Sequence, residues 1–113
     1  MHHVDDAIFE ACRCLIDAAA WHRSGDVGMA ADAVRRAQTV LLAIDAYRDV
    51  IVGHREFWGQ DVAEGETGIP YASDVTELIR MLRLAALCLG GEHWMSLPLA
   101  AIAYIAEQAL MQR

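Results

Sequence analysis

The sequence contains no lysine, so its basic complement is nine arginines, set against sixteen acidic residues and giving a formal net charge of −7. Proteins that bind nucleic acid gather lysine and arginine on one surface to meet the phosphates, so this balance argues against that class. The acids are concentrated between Arg55 and Arg80, which enclose Glu56, Asp61, Glu64, Glu66, Asp74 and Glu77 with no basic residue among them. We interpret this segment as a solvated acidic loop; the alternative is a patch that faces a basic partner.

Cysteine is also scarce, and the three residues Cys12, Cys14 and Cys88 are an odd number. Cys12 and Cys14 lie two positions apart in a predicted helix, where their side chains diverge, so they are not expected to form a disulfide. We therefore expect buried thiols in a reducing compartment. No basic segment precedes an apolar stretch at the start of the sequence, where acids begin at Asp5. This pattern predicts a cytoplasmic protein without a signal peptide.

Long apolar runs and strand patterns are missing as well. The apolar run from Trp94 to Ala106 is shorter than the roughly 20 residues that a membrane-spanning helix needs. No alternation with a period of two extends over a useful length. Hydrophobic residues nevertheless make up 56% of the chain. We therefore expect one helical domain over residues 1–113, with enough length for a modest core and no membrane partner.

Apolar residues recur instead at intervals of three and four, which predicts four helices over residues 5–23, 27–52, 75–89 and 97–111. The second helix is expected to end between Val52 and Phe57. Residues 59–73 contain three glycines and a proline, so they are expected to form a long loop between the second and third helices. The predicted fold is all-α, an antiparallel four-helix bundle.

Turn and capping residues mark the ends of these helices. Ser24-Gly25-Asp26 predicts a tight turn between the first two helices, and Gly90-Gly91 ends the third. Asp74 is expected to cap the third helix, with Glu77 completing a capping box. Ser96 is expected to cap the fourth helix.

The third and fourth predicted helices lose their polar face. No polar residue lies between Leu84 and Leu89, and between Pro98 and Ala106 only Tyr104 carries a polar side-chain atom. Abundant alanine, which tolerates exposure, is one explanation; a groove or dimer face is the other. The residues that form this groove or the core are predicted to be Val75, Leu78, Leu82, Leu84, Leu87, Leu99, Ile102 and Ile105. The sequence does not divide them between the two.

Residue patterns for metal or nucleophilic chemistry are missing. No Glu-x-x-His pair, no His-Glu-x-x-His and no paired Cys-x-x-Cys occurs. His22, His54 and His93 have no ligand partner at helical spacing, and each of the three serines occupies a turn or cap position. We therefore expect no metal, no cofactor and no enzymatic activity.

One motif supports an enzyme as the alternative. The segment from Arg48 to His54 resembles the R-x4–6-H signature of HEPN ribonucleases, small α-helical bundles that dimerise to pair two such motifs. The resemblance implies that Arg48 and His54 act on an RNA phosphodiester. The chemistry is consistent, because histidine transfers protons near neutral pH and arginine binds phosphate. The acidic surface and the early position of the motif in the chain count against this alternative.

The first predicted hairpin carries a broader family resemblance. The segments 15–20 (LIDAAA), 24–27 (SGDV) and 36–42 (RAQTVLL) resemble the first hairpin of FliS-type flagellin export chaperones. Residues 76–89 and 97–112 then occupy the places of that family's third and last helices. The family's tyrosine pair in the third helix has no counterpart here, and the loop before that helix is longer.

Two other families share part of this plan. FlaF-type flagellin regulators are similar in being small helical proteins. Tetratricopeptide repeats share the spacing of Trp21, Gly25, Ala30, Val34 and Ala37, but a solenoid needs several repeats and no second copy occurs.

The chaperone resemblance implies a protein that has no active site and presents apolar grooves between its helices. Its client is a disordered, amphipathic segment that folds into helices against those grooves. Our first hypothesis is therefore a non-enzymatic, cytoplasmic protein-binding module for a client such as flagellin. The alternatives are a HEPN-like ribonuclease and a homodimer whose only partner is a second copy of itself.

Overall fold

The computed structural model describes residues 3–53, 63–64 and 70–112. Their helices are α1 (His3–Arg23), α2 (Val27–Leu42), α3 (Asp45–Gly53), α4 (Val75–Leu89) and α5 (Ser96–Met111). A short antiparallel pair joins β1 (Ala63–Glu64) to β2 (Pro70–Tyr71). The predicted all-helical class is confirmed. Half of the six acids of the predicted acidic loop, namely Glu56, Asp61 and Glu66, lie outside the described residues.

The turn between α1 and α2 forms where the sequence predicts it. Gly25 adopts a positive φ of 85°, a conformation that costs glycine little. Asp26 caps α2, because its Oδ1 accepts the backbone N–H of Met29 at 3.1 Å. The three-residue connection makes α1 and α2 an antiparallel hairpin.

The second predicted helix is wrong in one respect, since the chain breaks between α2 and α3. The N–H groups of Ala43 and Ile44 bond to the carbonyls of Val40 and Leu41, three residues back, at 3.2 and 2.9 Å. Such bonds tighten the last turn and end the α-helix. The apolar spacing continues through the break, and Leu41, Ile44 and Tyr47 are all buried. Periodicity alone therefore gave no sign of it.

The third predicted helix has the expected ends. Asp74 caps α4, and its Oδ1 accepts the backbone N–H of Glu77 at 2.8 Å. The Glu77 carboxylate accepts the Ser73 hydroxyl at 3.0 Å rather than the backbone N–H of Asp74, so the predicted capping box does not form. Gly90 follows the last residue of α4 with φ 89°.

The predicted cap of the fourth helix is wrong. Met95 occupies the N-cap position, and Ser96 Oγ instead donates to the carbonyl of Ala86 at 3.0 Å, which ties α5 to α4. His93 Nδ1 accepts the backbone N–H of Met95 at 3.0 Å and so satisfies a donor at the start of α5.

The two hairpins pack through α1 and α5. α1 lies against both α2 and α5, and α4 packs on α5. The hairpin contacts use small side chains, with Ala18 and Ala33 fully buried, so the helices approach closely. The largest fully buried side chains form one core, contributed by Leu15, Leu41, Tyr47, Ile51, Leu78, Met81, Leu82, Met95 and Leu99.

Arg23 at the end of α1 forms hydrogen bonds with the end of α5 and so shows how the two hairpins are oriented. Its Nη1 donates to the carbonyl of Ala109 at 2.7 Å and to the Gln112 side chain at 3.2 Å. The C-terminal ends of α1 and α5 therefore lie side by side. In an up-and-down bundle of four helices, the C-terminal ends of the first and last helices lie at opposite ends of the bundle. The described contacts therefore show two antiparallel hairpins, and the predicted antiparallel four-helix bundle is not confirmed.

Candidate protein-binding surface

The structure divides the predicted groove or core residues between the interior and the surface. Five are buried in the core, namely Val75, Leu78, Leu82, Leu99 and Ile102. Leu84 is half-buried and packs against that core. Leu87 is 76% exposed and Ile105 is 44% exposed, so these two lie on the surface of the described chain.

A larger apolar surface surrounds Ile105 on α5. Leu97 is 79% exposed, Tyr104 is half-exposed, and their spacing of seven residues places them on one side of the helix. Ala100 and Ala101 are exposed between them. We call Leu97, Ala100, Ala101, Tyr104 and Ile105 the α5 face. The sequence has no charged residue from Leu97 to Ala106, so this helix lacks the charged side that a surface helix normally presents to water.

A groove between α1 and α5 extends the α5 face. Ile16 and Ala20 of α1 line it together with Tyr104 and Ile105, and its volume is about 430 Å³. Arg23, Gln108 and Gln112 lie at its other end, and Arg23 is the one charged side chain among the described residues that line it. This groove is therefore apolar along its length and polar where the two helices end.

A second groove extends the surface towards α4. Leu87 lines it with Arg83, Ala86, Gly91, Ser96 and Ala100, and its volume is about 380 Å³. Ala100 belongs to both this groove and the α5 face, so the exposed apolar surface is continuous from α4 across α5 to α1. Glu107, which is the first charged residue of α5, pairs with Arg83 at 2.7 Å. That hydrogen bond holds the pKa of Glu107 below its ordinary value.

Most of this surface was not predicted from the sequence. The apolar excess on α4 and α5 was predicted, but Leu97 and Tyr104 were not selected as surface residues, and no binding role was predicted for α1. The sequence did contain a pattern that could have indicated the surface on α1. Phe9 and Ile16 directly follow the inward-facing Ile8 and Leu15, so the apolar residues of this helix extend beyond the stripe that faces the core. Phe9 and Ile16 are both exposed in the structure.

The groove between α1 and α2 has a different character. Glu10, Asp32, Arg35 and Arg36 line it, with Cys14 at its base, and its volume is about 530 Å³. Burial, followed by the nearby Glu10 carboxylate, raises the pKa of the Cys14 thiol. A protonated thiol is a poor nucleophile, so the arrangement does not support covalent chemistry. Of the three cysteines that the sequence predicts to be buried, Cys14 is buried, while Cys12 and Cys88 are half-buried.

Only Arg48 of the ribonuclease alternative lies in the described part of the chain. Arg48 is exposed on α3, and its Nη2 contacts Asp45 Oδ1 at 2.8 Å. His54 lies outside the described residues. The pairing of Arg48 with His54 therefore stays a prediction.

Gln38, in the segment that resembles the chaperone family, has a structural position. It is buried on α2, and its Oε1 accepts the backbone N–H of Ala72 at 2.8 Å. The bond fixes the approach to α4 against α2. Its neighbours Arg35 and Arg36 are exposed in the groove beside α1.

No family model, curated protein or solved structure matches this chain. The resemblance to FliS-type chaperones therefore stays a hypothesis, and the surface itself is the basis for a functional proposal. Within residues 3–53, 63–64 and 70–112 no group of three or more metal-ligating side chains comes together. None of the described helices combines the length and apolarity that a membrane span requires.

Proposed function

We propose that this chain is a non-enzymatic, cytoplasmic module that binds an amphipathic segment of another protein, as FliS-type export chaperones bind flagellin. Its two antiparallel hairpins form the scaffold, and the client lies along the α5 face and the groove between α1 and α5. One observation carries the proposal: α5 presents exposed Leu97, Tyr104 and Ile105 with no charged residue among them.

The energetics favour an apolar client. Fully burying a leucine or isoleucine side chain contributes about 1.5–3 kcal/mol before the cost of ordering the partner. A helix whose apolar residues recur every three or four positions would fill the groove beside Ile16 and Ile105. Because the apolar part of the groove contains no charged side chain, binding such a client there removes no charged group of this chain from water. Gln108 and Gln112 offer hydrogen bonds where the groove ends.

The test is calorimetric titration of the purified chain with a synthetic peptide that carries an amphipathic segment of flagellin from the source organism. Ile105→Asp places a carboxylate in the groove, so we expect at least about a tenfold loss of affinity. Val52→Asp is the matched control, because Val52 on α3 is 46% exposed against 44% for Ile105. It is expected to bind like the wild type.

Two results would contradict the proposal. If folded wild-type chain does not bind the flagellin segment, the export-chaperone form of the function is wrong. If the segment binds but Ile105→Asp and Val52→Asp have equal affinity, the client lies elsewhere on the molecule. Circular dichroism of both variants separates lost binding from lost folding.

A further inference from the structure

We propose that the α5 face is also the site at which a second copy of this chain binds, in a symmetric dimer whose two α5 helices pack antiparallel about Ala101. The inference shares with the proposed function the premise that this face binds protein. The partner here is a second copy of the chain, which both the charge and the symmetry of the α5 face favour.

Charge limits where two copies can meet. Each chain carries a formal charge of −7, so bringing two together opposes like charges on most faces. On α1 and α2, Asp17 and Asp32 are exposed. The α5 face has no acidic residue, and the nearest one, Glu107, is paired with Arg83. Two copies can therefore approach through this face without burying an unpaired carboxylate.

The order of side chains along the face fits a twofold axis. When two identical helices pack antiparallel about Ala101, residues at equal distances before and after it face each other across the interface. Leu97 and Ile105 are each four positions from Ala101, so each would contact the other in the second copy. The small side chains of Ala100 and Ala101 let the helix backbones approach at the centre.

Opposite charges meet at both ends of this arrangement. Arg23 lies against the carbonyl of Ala109 and the side chain of Gln112, at the C-terminal end of α5. The antiparallel partner brings the N-terminal end of its own α5 to the same place. Glu92, an exposed residue in the turn before that helix, would then lie near Arg23. Symmetry repeats the contact at the other end, so charge complementarity borders the apolar centre on both sides.

The first test measures molar mass by light scattering between about 1 and about 100 μM chain. We expect a dimer that dissociates on dilution. Ala101→Glu places two carboxylates together at the axis and should weaken dimerisation by at least about tenfold. Ala43→Glu, at an exposed alanine on another part of the molecule, is the matched control and should leave the dimer intact.

The second test is charge exchange at the ends. Glu92→Arg should weaken the dimer because it opposes Arg23, and combining it with Arg23→Glu should restore association. Three results would overturn the proposal. The wild type could stay a monomer throughout the concentration range, or the Ala101→Glu and Ala43→Glu variants could dimerise equally. The third is a combined exchange variant that is folded but does not regain association.

The two proposals fail separately in these experiments. A monomer that binds the flagellin segment removes the dimer and leaves the proposed function standing. A dimer that depends on Ala101 but does not bind the segment removes the chaperone function and leaves the dimer standing.

Discussion

At the residue scale, Tyr47 places a hydroxyl without a hydrogen-bond partner in the core of the described chain. It is fully buried on α3, and its hydroxyl has no hydrogen-bond partner in the part of the chain that the structure describes. A buried hydroxyl without a partner loses its hydration without replacement, at a cost of roughly 1–3 kcal/mol. Burial also raises the pKa of Tyr47, because the phenolate would be poorly solvated there.

We predict that Tyr47→Phe leaves the free energy of unfolding unchanged or raises it by up to about 2 kcal/mol at neutral pH. Above about pH 10 the tyrosine ionises in the unfolded chain but stays neutral in the folded one. The free energy of unfolding is therefore unaffected by this group below about pH 10, and it falls as the pH rises from there towards the raised pKa of folded Tyr47. Urea unfolding at pH 7 and pH 10.5 measures this effect. The free energy of unfolding should fall more between the two pH values for the wild type than for Tyr47→Phe.

Tyr104→Phe serves as the control for this prediction. Tyr104 is exposed on α5, so removing its hydroxyl should change stability by less than about 0.5 kcal/mol. If Tyr47→Phe is instead destabilised by more than about 1 kcal/mol, the hydroxyl forms a hydrogen bond in solution and this account of it is wrong.

At the element scale, Gln38 holds α2 against the approach to α4 through its bond to the Ala72 N–H. We predict that Gln38→Ala lowers the free energy of unfolding by about 1–3 kcal/mol, because it leaves a buried donor without an acceptor. Thermal and urea unfolding measure the change. Thr39→Ala, at the exposed neighbouring position, is the control and should have a much smaller effect. Equal effects of the two substitutions would mean that the bond to Ala72 contributes little.

Local chemistry determines which element features the sequence could predict. The Gly25 turn and the Asp74 cap depend on residues within one helical turn, and both were predicted correctly. The break at Ala43 was missed because the apolar period continues across it. Ser96 was misassigned as a cap because its actual acceptor, the carbonyl of Ala86, lies on another helix.

At the scale of the whole molecule, the sequence did not indicate which faces of the two hairpins pack against each other. Arg23 reaches Ala109 across most of the chain length, and no local pattern indicates that contact. The same arrangement buries Leu99 and Ile102 while leaving Leu97 and Ile105 exposed on one helix. The sequence therefore revealed that α4 and α5 carry more apolar residues than a core absorbs, but not which of them form the surface.

The net charge of −7 gives a final prediction for the whole molecule. Two copies that meet through an uncharged face are held by apolar burial and opposed by repulsion between their remaining charges. Salt screens that repulsion, since the Debye length falls from about 30 Å at 0.01 M to about 8 Å at 0.15 M. The dissociation constant of the dimer, measured by sedimentation in a sodium chloride series, should therefore fall over this range.

The same series distinguishes the apolar centre from the charged ends. The contacts between Arg23 and Glu92 are weakened by salt, so a dimer held mainly by them would dissociate as salt is added. Glu92→Gln provides the comparison, because it removes the attraction and keeps the shape. If the α5 face supplies most of the binding, Glu92→Gln should still dimerise and should show a steeper strengthening with salt than the wild type. Dissociation of the wild type with added salt would assign the interface to its charged ends instead.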